Sequence, residues 1–176
     1  EMFLLMIPTL IGIFGYQINE MIDTRFAAAL TAGTVSALNY SSRLYLLPIG
    51  VFAISLSVVI FPNLSQAAVK KQMNVVKSQI ERGLNMLAFF VIPSQIVLIF
   101  YSKEIVSLIY KRGAFSEDMI VVTSQALTFY SVGLLFFSTI HLLTRSHYVF
   151  KDRKRPVISS FVGIGINIAL DFLLYK

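Results

Sequence analysis

The chain is 176 residues long, 56% apolar and only 14% charged, with a mean hydropathy of +0.75, whereas a water-soluble domain carries about 25% charged residues. Its 15 Lys and Arg against 9 Asp and Glu leave a net charge of +6, but these cations sit between hydrophobic runs, so anionic lipid is the expected counter-charge and nucleic acid is not. The absence of cysteine excludes disulfides, thiolate metal sites and cysteine nucleophiles, and leaves the redox compartment unread.

The charges are bunched, leaving apolar stretches long enough to cross a hydrocarbon core about 30 Å thick. Five spans are expected, in an all-α, polytopic transmembrane helix bundle forming a single membrane domain over 1–176. Because the sequence opens at Glu1 inside an apolar run and stops at Lys176 just past another, it reads as a piece of a longer protein with no visible cleavable signal peptide.

The first span covers about 2–30, with Pro8, Gly12 and Gly15 available for bending or close helix approach. The second runs over about 36–61; Pro48, Ile49 and Gly50 predict a kink in its middle, and Pro62 with Asn63 predicts its end. Over about 66–81, Val69, Met73, Val76 and Ile80 recur at helical spacing while Lys70, Lys71, Lys77 and Glu81 fall largely elsewhere, the pattern of a helix lying on the membrane surface. The third span is about 84–101 and contains Pro93, and residues 102–116 form a connector with a turn at Lys111, Arg112 and Gly113. The fourth, about 119–143, is announced by Ser116 as a capping hydroxyl followed by Glu117 and Asp118. Pro156 suits the first turn of the fifth, about 156–175.

Lys and Arg set the orientation. Lys70, Lys71, Lys77 and Arg82 mark one connector as cytoplasmic, and Arg145, Lys151, Arg153, Lys154 and Arg155 mark another; the remaining two connectors are charge-balanced and face outward. Glu1 then lies inside and Lys176 outside.

An ionisable group in a spanning helix costs roughly 2.5 to 3.5 kcal/mol near the bilayer centre, so it faces a cavity or a partner. Three clusters qualify. Asn19 and Asp23 share a face of the first span, with Glu20 and Arg25 nearby; Ser36, Asn39, Tyr40 and Arg43 form a stripe on the second; Gly163, Asn167 and Asp171 line one face of the fifth. Asp23, Asn167 and Asp171 are oxygen donors suited to a hard cation such as Na⁺, or to a proton relay; the alternative is that Asp23 pairs with Arg25 and Asn167 bonds a neighbouring helix. Arg43 carries a planar fork that fits phosphate; the alternatives are a buried ion pair or snorkelling. His141 and His147, six residues apart, suit structural roles, and Ser124, Gln125, Thr128 and Ser131 suit interhelical hydrogen bonds. No nucleotide-binding glycine motif or hydrolytic triad is visible, so an enzyme is disfavoured.

The run TVSALNYSSRLYLLPIGVFAISLSVVIFPNLS from Thr34, followed by Arg112, Gly113, Ala114 and Phe115 and then Tyr130, Ser131, Val132 and Gly133, resembles the lipid II flippases of the MurJ (MviN) family, in the MATE-like MOP transporter superfamily. The resemblance implies most of the second of two six-helix lobes. It implies a flippase that carries lipid II, the undecaprenyl-diphosphate-linked peptidoglycan precursor, from the inner to the outer face of the bacterial cytoplasmic membrane by alternating access. Under it, Arg43 matches an arginine of a cationic cavity and Ser36 a cavity position beside it, with Asn39 and Tyr40 on the same stripe. Asp23, Asn167 and Asp171 match a carboxylate-rich cation site for Na⁺ or H⁺ coupling. The implied partners are lipid II, membrane lipids and the N-terminal lobe of the same protein. A cation-coupled multidrug exporter or other polysaccharide-lipid flippase of that superfamily, and a non-transporting membrane scaffold, are the competing readings.

Overall fold

A computed structural model describes Gln17, Met21, Ile22, Thr24, Arg25, Ala27, Ala28 and residues 33–174, apart from Ala114 and 151–153; for Lys154, Asp171, Phe172 and Leu174 it describes the backbone alone. The described residues are helices joined by short turns, with no strand among them. Helix α1 spans Thr34–Pro48, a π-helical turn follows at Ile49–Ile54, and then come α2 (Ser55–Val69), α3 (Met73–Phe100), α4 (Ser102–Tyr110), α5 (Glu117–Val132), α6 (Leu134–Val149) and α7 (Lys154–Leu174).

Two compact units result: residues 36–150 form one, and residues 1–35 with 151–176 form the other. The run Thr34–Val69, which enters the first unit at Ser36, and helix Met73–Phe100 are each long and apolar enough to cross a membrane, and α5 and α6, bent by 48° at Gly133, meet the same condition only when taken together. In the second unit α7 carries a shorter apolar stretch, Arg155–Leu170.

The core of residues 36–150 is built where apolar side chains repeat on the inner helix faces. Leu87 and Val91 of α3, Leu127 of α5, Leu134 and Leu142 of α6, and Ile49 and Ala53 of the π-helical turn are buried in one cluster. Gly83 lets α3 approach closely: a Cβ there would lie 2.8 Å from Ile60 Cδ1 and 3.2 Å from a Leu142 methyl. Outward-facing Phe89, Phe100, Phe129 and Phe136 are exposed, the inverse of a water-soluble surface and the composition a lipid-facing one requires.

Four expectations change. Pro62 does not end the second span, because a proline removes one backbone bond yet is accommodated in an apolar helix; α2 continues to Val69. Residues 66–81 are not a separate surface helix. They are the end of α2, a tight turn at Lys70–Gln72 with Lys71 at φ 56°, and the first turns of α3; only Val76 of the expected apolar face is buried, packed with Leu64 and Ala67. The connector at 102–116 is largely helix α4, whose buried Ser102 and Val106 sit one turn apart. The fourth span is two helices, broken at Gly133.

Candidate functional site

Ser36, Asn39 and Arg43 are exposed along one side of α1 and Tyr40 is partly buried beside them. The stripe exists because Ala37, Ser41, Leu44 and Tyr45 turn the opposite side inward. Ser41 is fully buried, and its hydroxyl lies 2.7 Å from both the Ala37 and Thr123 carbonyl oxygens, so one hydrogen is shared between its own helix and α5. The Tyr110 hydroxyl donates to the Tyr40 carbonyl at 3.3 Å. The Tyr40 ring packs 4.8 Å from that of Tyr110 and 5.5 Å from that of Phe115. Closer to the π-helical turn, Tyr45 lies 5.7 Å from Tyr130 and 5.8 Å from Phe137.

The guanidinium of Arg43 forms no ion pair or hydrogen bond among the described residues. The ion pairs described lie elsewhere, Lys77 with Glu81 along the start of α3 and Lys111 with Glu117 at the mouth of α5. The planar donors of an arginine on an apolar helix suit phosphate oxygens. Tyr110, Phe115, Ser41 and Thr123, which hold this helix in place, do not stand out as site residues in the sequence. The available signal was the helical spacing of Ser102, Val106 and Ile109 within the supposed connector.

Of the oxygen donors proposed for a cation, Asp23 lies outside the described residues, as do Asn19 and Glu20, and only the backbone of Asp171 is described. Asn167 is described, and its Oδ1 is buried without a hydrogen-bond partner among the described residues. Asp171 follows it by one turn on α7. No group of three or more His, Cys, Asp or Glu able to hold a metal occurs among the described residues. In the same unit, Gln17, Met21, Thr24 and Arg25 line an open hollow of about 390 Å³. Of the hydroxyls assigned to interhelical bonding, Thr128 bonds Ser102 at 2.9 Å, whereas Ser124 and Ser131 donate to carbonyls of their own helix.

Comparison with known proteins adds an independent line. The family model described as "Lipid II flippase MurJ" matches residues 1–176. The chain is 34% identical over 158 residues to the probable lipid II flippase MurJ of Thermotoga maritima, covering 90% of this chain and 32% of that protein. It is 34% identical over 167 residues to the protein of the same description from Vibrio cholerae (95% and 32%), and 36% identical over 159 residues to that from Aquifex aeolicus (90% and 31%). A solved structure described as "Lipid II flippase MurJ, inward closed conformation" superposes with a TM-score of 0.85 at 34% identity, over 94% of this chain and 35% of that one. The chain thus spans about a third of the length of the relatives it matches.

Proposed function

The chain belongs to the lipid II flippase MurJ family, and from that premise we propose that it supplies part of a flippase that moves lipid II from the inner to the outer face of the cytoplasmic membrane by alternating access. The observation that carries this reading is Arg43, exposed on a spanning helix and without a counter-charge among the described residues. A phosphate charge about 4 Å from a guanidinium gains about 4 kcal/mol at an effective dielectric of 20, against about 1 kcal/mol in water. That gain is of the order of the roughly 2.5 to 3.5 kcal/mol that burying one charge costs near the bilayer centre. One arginine therefore offsets about one charge, and a diphosphate requires at least a second cation from elsewhere in the cavity. Ser36 and Asn39 add polar contacts on the same side of α1, while the polyprenyl tail stays in lipid. No covalent bond changes.

The same reading extends to coupling. Asn167 offers a buried oxygen with no partner among the described residues, which fits an oxygen ligand for Na⁺ or a relay hydrogen bond to a proton carrier. Asp171, one helical turn away, and Asp23 would supply the charge. A bound cation would neutralise these acids and so favour the conformation that buries them.

The test uses the full-length protein in vesicles with fluorescent or radiolabelled lipid II. Replacement Arg43→Ala is expected to lower translocation at least tenfold while the protein remains inserted and folded, because the desolvated interaction it removes exceeds 1.4 kcal/mol. Unchanged translocation would defeat the reading and return the chain to an exporter of organic cations or to a scaffold. Asp171→Asn is expected to abolish any dependence of the rate on a Na⁺ or proton gradient; a gradient dependence that persists removes Asp171 from the coupling site.

A further inference from the structure

The connector between α4 and α5 is fastened to the helix that carries Arg43. Tyr110 closes α4, and its hydroxyl donates to the Tyr40 carbonyl at 3.3 Å. Further along the connector, the Phe115 ring lies 5.5 Å from the Tyr40 ring and 5.7 Å from that of Tyr110. Tyr40 belongs to the stripe that ends at Arg43, so the loop between the two rings is clasped against the edge of that stripe. Ring pairs at these separations stabilise by more than their buried area alone, and together with a hydrogen bond they hold a short loop in one place.

Inside the clasp the chain reverses tightly. The Arg112 amide donates to the Tyr110 carbonyl at 2.7 Å and the Phe115 amide to the Arg112 carbonyl at 3.4 Å. Gly113 takes a left-handed φ of 62°, which a residue with a Cβ adopts only at a cost. Arg112 is thus presented by backbone that is fixed on both sides of it. It is exposed, and like Arg43 it forms no side-chain ion pair or hydrogen bond among the described residues. Its neighbour Lys111 differs, being taken up by Glu117. The two arginines also differ in depth. Arg43 lies nine residues into α1, about 14 Å along the helix from Thr34, whereas Arg112 stands on the connector whose balanced charge assigns it to the outer interface.

We propose that Arg112 is an outer phosphate-binding residue, which receives the diphosphate of the translocated lipid at the outer mouth after it leaves Arg43; the inference rests on the flippase reading above. A single deep cation would hold an anion where it binds, and a second one further along the path lets it leave, as successive sites do in channels. A lipid-linked diphosphate that has crossed comes to rest level with the phosphates of the surrounding outer leaflet, which is where the clasp holds Arg112. Its planar fork can donate to two phosphate oxygens at once. The phosphate of an ordinary phospholipid offers the same chemistry, and the experiment separates the two sources.

Full-length protein in phosphatidylcholine vesicles is titrated with fluorescent undecaprenyl diphosphate and, as a neutral control, with fluorescent undecaprenol. Arg112→Ala is expected to weaken binding of the diphosphate roughly fivefold, the effect of one cation beside a charged headgroup, and to leave undecaprenol binding unchanged. Arg112→Lys keeps the charge and loses the fork, so it should fall between the alanine variant and wild type. Wild-type affinity for the diphosphate in Arg112→Ala overturns the inference and leaves Arg112 to ordinary phospholipid. An equal loss for undecaprenol overturns it too, as does an Arg112→Lys variant as weak as alanine, since the charge would then not be what binds. Arg43→Ala measured alongside separates this inference from its premise. If Arg43→Ala is weakened and Arg112→Ala is not, the outer site alone falls; wild-type affinity in both variants removes the flippase reading as well.

Discussion

A methyl group added at Gly83 would sit 2.8 Å from Ile60 Cδ1 and within 3.3 Å of both Leu142 methyls. All three atoms are ends of flexible side chains, so alanine can be admitted by small rotamer adjustments, and its higher helix propensity offsets part of the crowding. A leucine cannot be admitted this way, because it would need volume already filled by α2 and α6; overpacking of that kind costs about 1 to 3 kcal/mol. Thermal unfolding of the purified full-length protein should therefore show Gly83→Leu clearly destabilised and Gly83→Ala close to wild type. Equal melting temperatures for all three would mean that the helices separate at this point in solution. Arg43 presents the opposite case at the same scale: its residue type and its place on a stripe were legible in sequence, because a permanent charge in an apolar run is conspicuous wherever it points. Tyr110 was not legible, because its role depends on a carbonyl seventy residues earlier in the chain.

The helix break at Gly133 shows how an irregular element is kept intact in an apolar setting. Helix α5 ends with carbonyls that no continuing helix serves, and the Gln95 amide of α3 donates to the Val132 carbonyl at 3.0 Å. Side-chain bonds between membrane helices are worth about 0.6 kcal/mol on average and up to about 1.7 kcal/mol. Gln95→Leu removes the donor and keeps the bulk, so it should lower stability by about that amount, readable as a reduced melting temperature. No change in Gln95→Leu would indicate that lipid headgroups or water satisfy the carbonyl instead. Element by element, the sequence was informative where a local chemical signal exists. Ser116 caps α5 through the Met119 amide at 3.3 Å, as its position before Glu117 and Asp118 predicts, and the Pro48–Gly50 irregularity falls where those residues stand. It misled at 66–81, since amphipathic spacing cannot distinguish a surface helix from the polar ends of two spanning helices joined by a turn. Both put Val76 inward and Lys77 outward, and only the packing of Val76 against Leu64 and Ala67 separates them. Gly133 gives no signal of a break, because an isolated glycine in an apolar run is common in membrane helices.

At the scale of the whole molecule, the distribution of charge about α3 makes the strongest remaining prediction. Its 28 residues extend about 42 Å at 1.5 Å per residue, more than the roughly 30 Å of the hydrocarbon core, so its two ends must lie in different interfaces. One end adjoins the turn with Lys70 and Lys71 and carries Lys77 and Arg82, with Glu81 as the single acid; the other leads through α4 to Lys111, which pairs with Glu117. Uncompensated Lys and Arg stay on the cytoplasmic side, whereas a balanced connector carries no such bias. A cysteine introduced at exposed Lys71 should therefore be shielded in intact cells from a membrane-impermeant thiol reagent and become reactive once the membrane is opened. One introduced at exposed Lys111 should react from outside in intact cells. The reverse pattern would invert the lobe and turn the proposed direction of headgroup movement around with it. Labelling of both sites from outside would mean that α3 does not cross the membrane at all, and with it would go the argument that Arg43 stands on a spanning helix.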